Sequence, residues 1–419
     1  RSAMQVFGGT VGRAWRAVAT GGDTPTRLRP WMVGSVVVAV LFGVLGAVGV
    51  GRRDSALGAG DAASQQLIAV QDVQVRLVHA DSIARENYLR GGIEDAAKRA
   101  TYETELAAVS DGLVAVGNRV LPDDAAMLAA VSAQLTRYSG LIEQARANNR
   151  QGFPVGAAYL RTANDLATTM VASLRDVQSS LRSQVNDNLD GADTAGLWLH
   201  LTGWPLLVLL LTGGGWVAFR FRRLLNVPLA VAAGVTLLLL VIGGSMQGSA
   251  MSDAENATGS SLQAADLAAQ ARSAAFEAHA QESSTLIARG SGGLDVAWQA
   301  SAATAASALA RMCIITGDCT LVGTFGSYAE AHDAVRASDD AGDWDGARAA
   351  SLDGEAAIAF AAFDEASSAA AASLGAEAAS AMSSAADGLA VLRVVLFLAG
   401  LSVAALVLVG YGQRLREYR

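Results

Sequence analysis

Cys313 and Cys319 are the residues best placed to do chemistry, and they are the only cysteines in a chain of 419 residues. They flank Ile-Ile-Thr-Gly-Asp. Thiols this close either join in a disulfide, given an oxidising compartment, or act as a redox pair. The disulfide is the expected state, and closing so small a ring stabilises a fold by about 2–3 kcal/mol. Two cysteines with no histidine at ligand spacing do not make a zinc site. His79, His200, His279 and His332 are scattered and read as solvated or half-buried side chains. There is no G-x-S-x-G elbow, and no phosphate loop or dinucleotide fingerprint follows a predicted strand. No catalytic residue, metal or cofactor is expected. Arg146 and Arg336 could each hold a carboxylate through two parallel hydrogen bonds, or serve as solvated arginines near helix ends.

The elements that would position these residues follow from composition. Hydrophobic residues make up 52% of the chain and charged residues 17%, against about 25% charged in ordinary globular domains. That excludes disorder, and the length argues against one large soluble core. A membrane-spanning helix needs about 20 apolar residues, and four stretches qualify: 31–50, 196–219, 224–244 and 394–411. The first lacks a small-residue cleavage site and is expected to be retained. Their flanks are basic: five arginines against Asp23 in a leader 1–30, a turn of Arg220, Phe221, Arg222 and Arg223 over 220–223, and Arg414, Arg416 and Arg419 against Glu417 in a tail 412–419. Basic flanks stay in the cytoplasm. The expected protein is therefore a multi-pass inner-membrane protein with both termini cytoplasmic. Arg52-Arg53 alone dissents. Residues 51–195 hold 14 basic and 18 acidic groups, and residues 249–388 hold 5 and 19. These acidic stretches are expected outside the cytoplasm, and nucleic-acid binding is not expected.

Both long segments, 51–195 and 245–393, read as helical. Val70, Val73, Leu77, Ala80 and Ala84 follow 3,4 spacing, as do Ala163, Leu166, Met170 and Val177, each an apolar stripe along a helix. Breaks at Arg90-Gly91-Gly92, Leu121–Asp124 and Gly152-Phe153-Pro154 predict four helices, with Asp123 or Asp124 capping the third. The outer two are long enough to run on into the spans. Breaks at Gly290–Gly293, Cys313–Cys319 and Asp339–Asp345 repeat the plan. An offset of 190 pairs Tyr138 with Tyr328, Arg146 with Arg336 and Gly152 with Gly342, which favours an internal duplication. The expected fold is all-α: four transmembrane helices carrying two extracytoplasmic up-down four-helix bundles.

The loops farthest from the membrane are expected to meet a partner. They offer Arg90, Asn148, Asn149, Arg150, Gln151 and Phe153 on one bundle, and Asp339, Asp340, Asp343, Trp344 and Asp345 on the other. Aromatic residues beside charges resemble interface anchors, though Trp344 and Phe153 can equally plug the ends of their bundles. Arg220, Arg222, Arg223, Arg414, Arg416 and Arg419 form the expected cytoplasmic output surface. Pro205, Gly213-Gly214-Gly215 and Gly243-Gly244 interrupt spans, either for close helix packing or for a transport site.

Two transmembrane helices bracketing a four-helix bundle resemble the sensor half of bacterial chemoreceptors and some histidine kinases. Those proteins carry a large cytoplasmic output module, and none is expected here. The Arg220-Phe-Arg-Arg-Leu-Leu-Asn-Val-Pro228 turn, the closing Gly410-Tyr-Gly-Gln-Arg-Leu-Arg-Glu-Tyr-Arg419 and the repeated span–bundle–span plan are similar to the GlnX-type membrane proteins of actinobacteria. That resemblance implies a non-enzymatic relay of aspartate, glutamate or glutamine status. Its implied partners are an extracytoplasmic substrate-binding lipoprotein of the glutamine-binding type and a cytoplasmic serine/threonine kinase, protein kinase G, or an adaptor to it. A homo-oligomer stays open. The alternatives are a direct small-molecule sensor with ligand held in the bundles, and a transporter-associated or structural envelope protein.

Overall fold

The structure, a computed structural model, describes residues 24–221, 226–289 and 294–416. The Gly290–Gly293 loop, Arg222, Arg223, Arg419 and nearly all of the leader lie outside the described residues, as does the side chain of Arg220. Every regular element among the described residues is helical. They run α1 Thr24–Arg90, α2 Ala96–Gly117, α3 Pro122–Arg150, α4 Val155–Phe221, α5 Val227–Asn256, a π-helical segment Ala257–Leu262, α6 Gln263–Ile287, α7 Leu294–Thr316, α8 Thr320–Asp340, α9 Trp344–Asp353, α10 Glu355–Ser384 and α11 Leu389–Arg416. Local chemistry sets the ends. After Arg90 the chain passes through Gly91 at φ 69° and Gly92 at φ 67°, a left-handed conformation that costs glycine no Cβ clash. Asp95 caps α2 by accepting from the backbone N–H of Ala97 and Lys98.

Three local expectations change. The cap of α3 is Leu121, with Pro122 opening the helix. Proline needs no N–H partner there, and Asp124 is instead buried, accepting from Ser180 Oγ at 2.9 Å. A further break at Gly354 divides α9 from α10, and another at 385–388, where Gly388 has φ 84°, precedes α11. The Cys313–Cys319 disulfide closes the turn between α7 and α8.

Among the described residues four helical stretches, Leu28–Arg90, Val155–Phe219, Val227–Ile287 and Trp344–Arg416, are long and apolar enough to cross a membrane. The chain divides into two compact units. The first, here the span unit, comprises the described residues of Arg1–Ala59, Asp187–Ala254 and Ser383–Arg419. Its exposed side chains include Val37, Leu41, Leu201, Val208, Leu238, Val241, Leu398 and Leu401. An outer surface of this kind suits lipid, since helices apolar all round belong in a membrane or a large core. Inside, small residues set the spacing. A Cβ on Gly400 would lie 2.4 Å from the Gly43 Cα, so α1 and α11 meet backbone to backbone. A Cβ on Gly213 would meet the Tyr411 hydroxyl, whereas Gly214 and Gly215 have open space around them.

The second, the interspan unit, comprises Gly60–Asn186 and Glu255–Met382. Both long segments therefore contribute to one compact body. Val70, Val73, Leu77, Ala80 and Ala84 are all buried, as are Ala163, Met170 and Val177, with Leu166 half-buried. The opposite face of α1 is covered too, and α6 is enclosed almost all round, from Ala264 to Leu286.

Candidate functional site

Off its apolar stripe, α1 carries Gln71, Gln74, Asp81, Ser82 and Arg85, and all five are buried. Their 3,4 and 7 spacing puts them on one face. Asp266, Ser273, Glu277 and Ser284 recur on α6 at 7, 4 and 7. The two polar faces meet in a seam. Gln71 donates to Asp266 at 2.5 Å, Gln74 to the Ser273 hydroxyl at 2.9 Å and Arg85 to the Ser284 hydroxyl at 3.0 Å. Ser82 shares a 2.8 Å hydrogen bond with His279 Nδ1. Buried polar groups must find such partners, because an unpaired one forfeits about 1–3 kcal/mol.

Two buried clusters anchor the seam. In the first, Asp81 pairs with Arg85 and accepts from the Tyr138 hydroxyl at 3.0 Å, while Arg85 also donates to Asn164. Burial, with the Asp81 charge adding to it, pushes the Tyr138 phenol well above its usual range. In the second, Glu282 is 1% exposed and accepts from His332 Nδ1 at 2.6 Å, Ser351 Oγ at 2.6 Å and the Tyr328 hydroxyl at 3.4 Å. Burial alone would raise this carboxyl, but His332, His279 and Ser351 together hold it below the ordinary carboxylate value. Trp298 stacks on His332 with ring centroids 3.6 Å apart. His279 stacks on Phe360 at 4.1 Å, and its burial lowers its pKa. Both histidines are thus packed and partnered, contrary to the expectation of solvated or half-buried side chains. Ser351 and His332 each bond Glu282 rather than one another, so they do not form the serine–histidine contact that activates a nucleophile. Among the described residues no group of three or more His, Cys, Asp or Glu side chains is placed to hold a metal ion.

Beside the seam lies a cavity of about 750 Å³. Gln74 and Gln178, joined at 2.8 Å, are buried in its lining. Arg175 pairs with Glu277 at 3.2 Å, Arg182 pairs with Asp266, and Arg311 also lines it. Burial raises the Glu277 carboxyl, and Arg175 works against that rise.

The sequence-predicted loop residues separate into two kinds. Arg90 reaches the other segment, pairing with Asp353 at 2.8 Å and donating to the Leu352 carbonyl at 3.1 Å. Trp344 is half-buried, packs on a cluster holding Leu89 and Leu286, and donates its indole N–H to the Leu286 carbonyl at 2.7 Å. Asp343 caps α9, and Asp339 and Asp340 each bond Arg336 at 2.6 Å. Asn149 donates to the Tyr88 carbonyl at 2.8 Å, and Asn148 to Gln144. Arg150, Gln151, Phe153 and Asp345 are exposed, Phe153 by 51%. Arg146 is taken up by Glu94 and Glu143 and lies over the Tyr102 ring. Of the expected output arginines, Arg414 is half-buried and Arg416 exposed. The seam itself was not anticipated. Its available signal was the matching run of polar residues on α1 and α6.

Fold and seam together define an all-α protein with four candidate membrane helices and a polar, partly hollow interspan unit. Residues 56–190 match the family model of the actinobacterial sensor domain, which is consistent with signal sensing. No match was found among curated proteins or among solved structures.

Proposed function

We propose that the chain is a non-enzymatic transmembrane signal relay in a bacterial inner membrane. The carrying observation is that α1 and α4, each 67 residues long, run unbroken between an apolar stretch and the sensor-domain match, which α1 enters and α4 leaves. A slide or turn of either helix need not be lost at a joint, and shifts of about 1–2 Å in packed helices are within the usual repertoire. In this reading the two segments are duplicated four-helix bundles. An extracytoplasmic binding lipoprotein of the amino-acid-binding type docks on the exposed loop residues, among them Arg150, Gln151, Phe153 and Asp345. A cytoplasmic serine/threonine kinase or its adaptor reads the arginines at the other end. A coupling of only about 1–3 kcal/mol between two states suffices. Purification from mild detergent with mass spectrometry tests the reading. A binding lipoprotein should travel with the wild-type chain, and its absence would sink the proposal.

The orientation makes its own prediction. With both termini cytoplasmic, cysteines placed at Ser2 and Gln413 should resist an impermeant thiol reagent in whole cells and react after lysis. Labelling of either before lysis reverses the topology.

A second reading, direct sensing of a small molecule, is favoured by the 750 Å³ cavity beside the seam. Arg146 and Arg336, the arginines first considered for it, already pair with acidic side chains.

A further inference from the structure

We infer that the cavity beside the seam is a binding site for a small organic carboxylate. Its volume falls within the roughly 300–1,000 Å³ of small-molecule sites. It is polar at its base, where Gln178, Gln74 and Ser273 form a hydrogen-bonded chain. Three guanidinium groups, Arg175, Arg182 and Arg311, face two carboxylates, Asp266 and Glu277, leaving one positive charge in excess. Arg311 makes no ion pair among the described residues.

The protein's own side chains indicate which anion fits. Glu277 on Arg175 and Asp266 on Arg182 are carboxylates seated on guanidinium groups. These pairs are partly open to solvent: Arg175 is 58% exposed and Arg182 42%. Solvent screens exposed pairs of this kind, so each contributes little to stability. A ligand carboxylate can therefore displace one of them at little cost and complete the charge of Arg311. The site also sits where binding has consequences. It is lined from α1 by Gln71 and Gln74, from α4 by Arg175 and Arg182, and from α7 by Arg311. A bound acid would draw α7 toward α4, and α1 and α4 are the helices on which the relay reading rests. That consequence depends on the sensor proposal, whereas binding itself does not.

Thermal-shift and calorimetric titration of the full chain in nanodiscs, with succinate and with L-glutamate against chloride of equal ionic strength, tests the site. Wild type should bind at least one of the two acids and melt higher in its presence. Succinate alone would mark a simple dicarboxylate site, and glutamate alone one that also uses Asp266 or Glu277 for an ammonium group. Arg311→Gln, at an exposed position, should melt like wild type without ligand and bind at least tenfold more weakly. Arg175→Gln should weaken binding as well, and Arg137→Gln, exposed and outside the cavity, should not. A wild type silent to both acids overturns the site, as does an equal response from Arg311→Gln. If acids bind yet no lipoprotein co-purifies, the relay fails and the site stands; the converse result removes the site alone.

Discussion

Glu282→Ala is expected to destabilise the interspan unit by about 3 kcal/mol or more, because each buried donor that loses its acceptor costs about 1–3 kcal/mol. Glu282 is 1% exposed and holds His332, Ser351 and Tyr328 by hydrogen bonds. The variant leaves three buried polar groups facing a cavity, and their combined desolvation exceeds any gain from the small apolar side chain. Glu282→Gln keeps the volume and part of the bonding, so it should lose less. Tryptophan fluorescence during thermal melting of the full chain is a direct readout, because Trp298 stacks on His332. An unchanged melt for Glu282→Ala would show that the cluster contributes nothing. The pH dependence carries a sign as well. The Glu282 carboxyl is lowered below 4.5, so its contribution is present above 4.5 and fades as pH falls through the folded value. His279 is lowered below 6.5 by burial, and its contribution likewise holds above 6.5 and is lost on acidification. Glu277, raised above 4.5, acts in the opposite direction. Acidification from neutrality should therefore first lose the His279 contribution and then that of Glu282. The second loss should be smaller in Glu282→Ala, where the Glu105 carboxyl, held down against its burial by His79 and Arg76, still contributes to it.

Gly400→Leu should open the crossing of α1 and α11 and lower the stability of the span unit by about 3 kcal/mol, the upper end of ordinary overpacking. A Cβ on Gly400 would stand 2.4 Å from Gly43 Cα and 2.8 Å from Gly43 N. Those are backbone atoms, and no rotamer change can move them aside. Substitution at Gly234, where a Cβ meets nothing within 4 Å, serves as the control and should be tolerated. Loss of a cooperative melt or of monodisperse behaviour in detergent for Gly400→Leu alone would bear the crossing out. Equal behaviour of the two variants would show that the helices are not in contact.

Much of the architecture is legible in the residues themselves. Runs of about 20 apolar side chains mark the spans, because a bilayer leaves the backbone no partner but its own helix. Glycines after Arg90 and Gln151 stop helices for steric reasons that act over two or three residues. The stripe from Val70 to Ala84 names the face of α1 that packs, since apolar periodicity and burial share one cause. Cys313 and Cys319, six residues apart in a stretch expected outside the cytoplasm, already suggest a disulfide, because an oxidising compartment joins neighbouring thiols, and the turn between α7 and α8 brings their Cα atoms to 4.7 Å.

The seam is a different matter. Gln71, Gln74, Asp81, Ser82 and Arg85 have the composition of a solvated helix face, and hydrophobic periodicity carries no information about whether a second polar face covers them. The α6 partners of Gln71, Gln74, Ser82 and Arg85 lie 195–199 residues away in the chain. Side-chain hydrogen bonds depend on position and angle to within a few tenths of an ångström, a precision set only when α1 and α6 are brought together. The same holds for Trp344, whose exposed or packed state depends on Leu89 and Leu286 arriving beside it. Local chemistry thus determined which segments are helical, where they stop and which are apolar enough for a membrane. Tertiary packing decided which polar residues are buried together, and with them the cavity, because that pairing joins helices that no local pattern links.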